Sequence, residues 1–247
     1  MHHSIGPEVI FNLLGVPIYN TFFTTLVVDA ILLGIVFVIY KNINKIPGAL
    51  QSIFELIIDY FHALVEQISG KRVVAIFPWV ASFFLIILFT NFIGLFPGVG
   101  SIGFESHGDH GEHHFIPLLR PGTSDFNMTL ALATVSLVAT HAIGIRYTGI
   151  RDYLSRFFSF NPIYLFVGIL ELVSEVTKLF SLSFRLFGNI FAGEVVLATI
   201  SGLFAFVAPI PFLLLESIVA VVQALVFAML TMVFMSILST PHHAEEH

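Results

Sequence analysis

Apolar residues dominate three separate stretches, 21–40, 73–96 and 126–145, and then one long tract over 162–239. The first three are each about as long as the ~20-residue helix that crosses a hydrocarbon layer. Membrane strands would alternate apolar and polar positions over segments of about 10 residues, and these runs do not alternate. Between the first two runs, Ile53, Leu56, Ile57, Tyr60, Phe61, Leu64 and Ile68 recur at helical spacing, opposite Gln51, Glu55, Asp59, His62 and Glu66. That pattern predicts an amphipathic helix lying on the membrane surface over 48–70. A shorter piece over 150–160, with Arg151, Asp152 and Arg156 among aromatics, has the same character.

The last tract is interrupted by Pro209 and Pro211, in the string VAPIPF. This predicts a helical hairpin with its bend there. Its arms, 163–206 and 210–238, would be about 65 Å and about 40 Å long, against a hydrocarbon thickness of about 30 Å. Both arms must then be steeply tilted, with Gly188, Gly193 and Gly202 as places where the first could bend. The expected fold is all-α and polytopic: five membrane-embedded helices at 21–40, 73–96, 126–146, 163–206 and 210–238, plus the interfacial helix. The whole is one membrane domain, with 1–20 as an N-terminal segment and 97–125 as a loop.

Composition agrees, with 57% hydrophobic residues, 11% charged residues and a mean hydropathy of +0.95. Such a chain has more apolar surface than one globular core can hide, which excludes a water-soluble enzyme. The formal net charge of -6 and the lack of a basic cluster leave no basis for a nucleic-acid partner. With no cysteine, there is no disulfide framework, thiolate nucleophile or Cys-based metal site. The N-terminus lacks the basic region and cleavage site of a secretory signal, so its first apolar run is expected to stay as an anchor.

Basic residues outside the apolar runs set the orientation. Lys41, Lys45, Lys71, Arg72, Arg146, Arg151 and Arg156 fall on one side, and Arg120 alone on the other. The basic side is the cytoplasmic one, which puts the N-terminus and the 97–125 loop outside and the C-terminus inside. Lys178 and Arg185 remain, and both lie within the apolar hairpin.

A guanidinium at membrane depth costs at least ~2.5 kcal/mol, so Arg185 in SLSFRLFGN requires a reason. At helical period Glu171, Glu175, Lys178, Arg185 and Asn189 fall within about 80° of one another, forming a polar stripe, while Glu194 points elsewhere. On the second arm Glu216 and Gln223 share a face. A buried carboxylate close to a cation is one setting in which Glu exchanges protons near neutral pH. The plainer alternatives are an Arg–Glu pair pinning two helices and helix-to-helix hydrogen bonds.

SLSFRLFGNIFAGE followed by QALVFAMLTMVF resembles the signature hairpin of subunit a of the F-type ATP synthase. TNFIGLFPG at 90–98 and RPGTSDFNMTLALA at 120–133 resemble that family's other two blocks, in the same order. The resemblance implies a stator subunit whose tilted hairpin lies against a rotating ring of small hairpin c subunits. Two offset half-channels would carry protons to and from the ring carboxylates and so couple proton flow to ATP synthesis elsewhere in the complex. An arginine at the position of Arg185 stands between the half-channels. Carried over by position, the outer path comprises Asn91, Asp125, Asn127, Glu194 and Glu216, and the inner path Glu171, Ser174 and Ser181. Asn189, Gln223 and Lys178 support them, with Gln223 facing Arg185. The implied partners are the c ring, peripheral-stalk b subunits, the rest of the complex and the bilayer, with no cofactor and no metal. The implied location is a bacterial plasma membrane.

Two positions depart from the family pattern. Many members pair an acid with a histidine where this chain has Glu194 and Glu216. Glu175 is an extra acid, placed to pair with Lys178 at i+3. The outer string ESHGDHGEHH at 105–114 is read as a flexible, solvated loop whose histidines buffer protons, with a divalent metal site as the alternative. His141 is read as a helix-packing polar residue. From a different functional class, a secondary transporter with an anion site at Arg185 is the rival reading, although the chain shows no internal repeat.

Overall fold

The computed structural model describes residues 6–13, 15–43, 47–96, 99, 102–107, 113–157, 162–203 and 208–240. Seven helices are present among them: α1 Asn20–Lys41, α2 Ala49–Ser69, α3 Val73–Leu95, α4 Phe126–Thr148, α5 Ile150–Phe157, α6 Pro162–Leu203 and α7 Pro209–Leu238. Four helical stretches are long and apolar enough to cross a membrane, namely α1, the run from Ala49 to Leu95 through α2 and α3, α4 and α7. α6 is not among them, and it carries Glu171, Glu175, Lys178, Arg185 and Glu194.

Apolar side chains cover the outside of these helices. Leu33, Phe37 and Tyr40 on α1 and Leu214 and Ile218 on α7 are exposed. Such surface is costly in water and ordinary in lipid. α2 buries Phe54, Phe61 and Val65 while Ile53, Leu56 and Tyr60 stay uncovered, as suits a helix at an interface.

The structure adds two antiparallel β-ribbons to the helical pattern. β1 Val9–Leu13 pairs with β2 Val16–Tyr19, and β3 Gly103–His107 pairs with β4 His113–Pro117. Part of the string read as a flexible loop is therefore paired strand, because backbone hydrogen bonds, which that reading did not count, hold 103–107 against 113–117. The metal alternative falls on the side chains of 105–114, which lie outside the described residues.

Pro209 and Pro211 open α7, and residues 204–207, between the two arms of the expected hairpin, lie outside the described residues. Proline is accommodated in a first helical turn, where the N–H it lacks would have no intrahelical partner. α6 continues unbroken through Gly188, Gly193 and Gly202 to Leu203, and the expected end at Phe206 lies outside the described residues.

The chain divides into two compact units. The first comprises Met1–Asn42, Leu85–Thr129 and Phe184–Ala224, and the second Ile43–Phe84, Leu130–Ser183 and Leu225–His247. In the first, the Asn20 side chain opens α1: its Oδ1 accepts the backbone N–H of Thr21 at 2.9 Å, and its Nδ2 donates to the Pro117 carbonyl at 3.2 Å. That ties α1 to β4.

In the second unit, Gly70 takes a φ of 54°, a left-handed conformation open to glycine, where α2 turns through a short 3-10 segment into α3. Beside it Arg72 donates to the Ser69 and Ser236 carbonyls and to Ser239 Oγ. One guanidinium thus answers the negative ends of α2 and α7. Phe61 packs on Phe84, Phe83 packs on Phe227, and Ser136 hydrogen-bonds Thr231 at 2.8 Å.

Candidate functional site

The first unit contains a cavity of about 400 Å³ lined by Asn91 of α3, Arg120 before α4, Glu194 of α6 and Glu216 of α7, among others. Three of the five residues assigned to the outer path therefore meet on one surface. Glu216 is 7% exposed, and its Oε2 has no hydrogen-bond partner among the described residues. A buried carboxylate in that position is costly unless a proton, a water or a cation answers it. Glu194 differs, because its Oε2 accepts from Arg120 Nη2 at 3.0 Å. Asn91 is fixed by both ends of its amide: Oδ1 accepts from Thr123 Oγ1 at 2.6 Å and Nδ2 donates to the Ala220 carbonyl at 3.4 Å.

Gly193 brings Glu216 to this place. A side chain at position 193 would collide with Glu216 Oε1, so the glycine lets the α7 carboxyl lie directly on α6. Glu216 and Gly193 also line a second cavity of about 290 Å³, whose wall includes Asn189. One carboxyl thus borders both spaces.

Asp125 and Asn127 do not line either cavity as described. Asp125 is buried and caps α4, its Oδ1 accepting the Asn127 N–H at 2.9 Å and its Oδ2 the Thr21 hydroxyl at 3.1 Å. The Asn127 side chain is exposed.

Arg185 is exposed and makes no hydrogen bond or ion pair among the described residues. Phe184 and Val195, close to it in sequence, are exposed too. No hydrogen bond joins Gln223, which is partly buried, to Arg185 among the described residues.

The second unit holds the residues assigned to the inner path. Glu171 Oε1 lies 3.5 Å from Arg156 Nε of α5. Ser174 and Ser181 are exposed and have no hydrogen bond among the described residues. Lys178 Nζ donates to Glu175 Oε1 at 2.6 Å, the i+3 pair expected from spacing. His141 contacts Glu175 and Tyr153.

Arg120 is the residue that the sequence reading passed over. It is 5% exposed, with its Nε donating to Ser124 Oγ at 3.1 Å, its Nη1 to the Gly6 carbonyl and its backbone N–H to Thr24 Oγ1. Its signal in the sequence was that it stands alone on the non-basic side, in the block that also holds Asp125.

A family model described as ATP synthase A chain matches residues 22–236. The chain is similar to ATP synthase subunit a of Moorella thermoacetica, 32% identical over 94% of this chain and 96% of the relative. It is also similar to ATP synthase subunit a of Syntrophobacter fumaroxidans, 30% identical over 94% of this chain and 89% of the relative. ATP synthase subunit a 3 of Pelobacter propionicus is 31% identical over 85% of this chain and 83% of its own length.

Proposed function

Since the chain belongs to the family of ATP synthase a subunits, the proton-channel stator subunit of the F-type enzyme, we propose that it supplies the outer and inner halves of the proton path. The outer half uses Asn91, Asp125, Asn127, Glu194 and Glu216, of which Asn91, Glu194 and Glu216 line the larger cavity. Protons reach Glu216 from outside and pass by way of Asn189 to a carboxylate on a neighbouring ring of c subunits. The inner half uses Glu171, Ser174 and Ser181 on α6. Arg185 separates the halves, with Gln223 and Lys178 in support.

The observation that carries this reading is Arg185. A permanently charged, exposed side chain without a partner among the described residues calls for a carboxylate from outside the chain. An adjacent cation favours the ionised form of that carboxylate, so it releases its proton on passing, and the same charge blocks direct leakage between the two halves.

In this reading five helices are embedded, α1, α3, α4, α6 and α7, while α2 lies at the interface. The charges of α6 are tolerated because they face partners or water. The N-terminus and the β3–β4 ribbon lie outside a bacterial plasma membrane and the C-terminus inside it, with peripheral-stalk b subunits among the neighbours. No ATP chemistry occurs in this chain. The transporter reading lacks both an internal repeat and the support of the family match.

The test is ATP synthesis driven by an imposed proton gradient in vesicles carrying the assembled complex. Arg185→Ala and Arg185→Lys should each abolish it, the second because a compact ammonium cannot fork towards two partners. Synthesis near the unmodified rate in either variant would reject the role.

A further inference from the structure

The second unit holds a buried carboxylate that the proton path as described leaves unused. Glu175 is 6% exposed, and its Oε2 has no hydrogen-bond partner among the described residues. That oxygen lies 3.8 Å from Nε2 of His141 on α4. The opposite ring nitrogen of His141, Nδ1, shares a hydrogen bond of 2.7 Å with the hydroxyl of Tyr153 on α5. Tyr153 borders a small cleft together with Asp152, Arg156 and Thr240. A carboxyl, an imidazole and a phenol therefore stand in a row from the face of α6 to the cleft, and each can gain and lose a proton.

Charged groups flank the row on α5 and α6. Lys178 of α6 holds the other oxygen of Glu175 and lies 4.7 Å from the Phe234 ring of α7. Arg156 of α5 faces Glu171 of α6. Burial and the charges of Glu175 and Glu171 hold the Tyr153 phenol above its ordinary value, against the opposing effect of Arg156. The phenol therefore acts as a hydroxyl that accepts one proton while giving another.

We infer that Glu175, His141 and Tyr153 form a proton relay serving the inner half of the path, a branch beside Glu171 that ends at the α5 cleft. The inference rests on the proton-path reading proposed above. A proton taken up at His141 Nε2, with Glu175 as counter-charge, allows Nδ1–H to pass its proton to the Tyr153 oxygen. The phenol O–H gives its own proton to solvent at the cleft, and tautomer exchange of the ring resets the row. Protons are conserved at each transfer and no electron moves.

The test is proton pumping by the assembled complex in membrane vesicles, measured as the pH on the inner side is varied and then as the pH on the outer side is varied. Tyr153→Phe, which deletes only the hydroxyl, should slow pumping by a factor on the order of ten and alter its dependence on inner pH, leaving the outer-pH dependence unchanged. His141→Phe and Glu175→Gln should do the same. Unaltered rate and inner-pH profile in Tyr153→Phe overturn the relay even if the other two variants fail to assemble. Arg185→Ala in the same assay keeps the two questions apart: pumping that survives it defeats the underlying reading, whatever Tyr153→Phe does.

Discussion

Arg120 and Glu194 stand 74 residues apart in the chain and meet at 3.0 Å on the wall of the larger cavity. The guanidinium is anchored on three sides by Ser124, Gly6 and Glu194, so it sits as a fixed charge. Its presence changes what two acids on one cavity imply. With Glu194 answered by Arg120, the proposed path relies on Glu216, whose Oε2 has no hydrogen-bond partner among the described residues, to exchange the proton.

Removing Arg120 should leave the Glu194 charge uncompensated. Arg120→Ala should lower both proton flux and the heat resistance of the assembled complex, and the coupling between Arg120 and Glu194 in a double-mutant cycle should be on the order of 1–3 kcal/mol. Strict additivity of Arg120→Ala and Glu194→Ala in heat resistance would show that the pair does no joint stabilising.

The two acids should differ in rank. Glu216→Gln should cut proton flux by about two orders of magnitude, the usual scale for loss of a proton-transferring group, and Glu194→Gln by less. Acidification rates of vesicles give the comparison, and a larger loss in Glu194→Gln would reverse the assignment.

Position 193 offers a test with its own control. Gly193→Ala puts a methyl where Glu216 Oε1 lies, whereas Gly188→Ala, on the same helix, meets nothing within 4 Å. The first should impair proton flux and the second should leave it intact, because alanine is the better helix former by up to about 1 kcal/mol. Equal flux in both would mean that Glu216 has room to move aside.

Orientation is open to labelling. A cysteine at Gly108 should react with an impermeant thiol reagent from outside, and one at Ala244 only from inside, following the asymmetry of basic residues. Reversed labelling would invert the assignment of the two halves.

The long helices were legible because an apolar stretch of membrane length has few alternatives, and α3 begins at Val73, where expected, and ends at Leu95, one residue short of the expected end. Gly70 and Pro209 were legible as punctuation, Pro209 as the residue that opens α7. The β-ribbons were not legible. Their stability comes from pairing between segments such as 103–107 and 113–117, whose composition is that of loops. In the site, Glu194, Glu216 and Asn91 could be named from motif position, but Arg120 could not. Nothing in its local sequence says that Glu194, on α6, comes within hydrogen-bonding reach. The same holds for His141, whose neighbours Tyr153 and Glu175 belong to two further helices.

The two prolines at the head of α7 bear on how the chain enters a bilayer. The first turn of any helix exposes amide hydrogens that find no carbonyl within the helix, and in hydrocarbon each one costs several kcal/mol to strip of water. At Pro209 and Pro211 those hydrogens do not exist. The leading end of α7 can therefore enter the apolar layer with fewer bare amide hydrogens to strip of water.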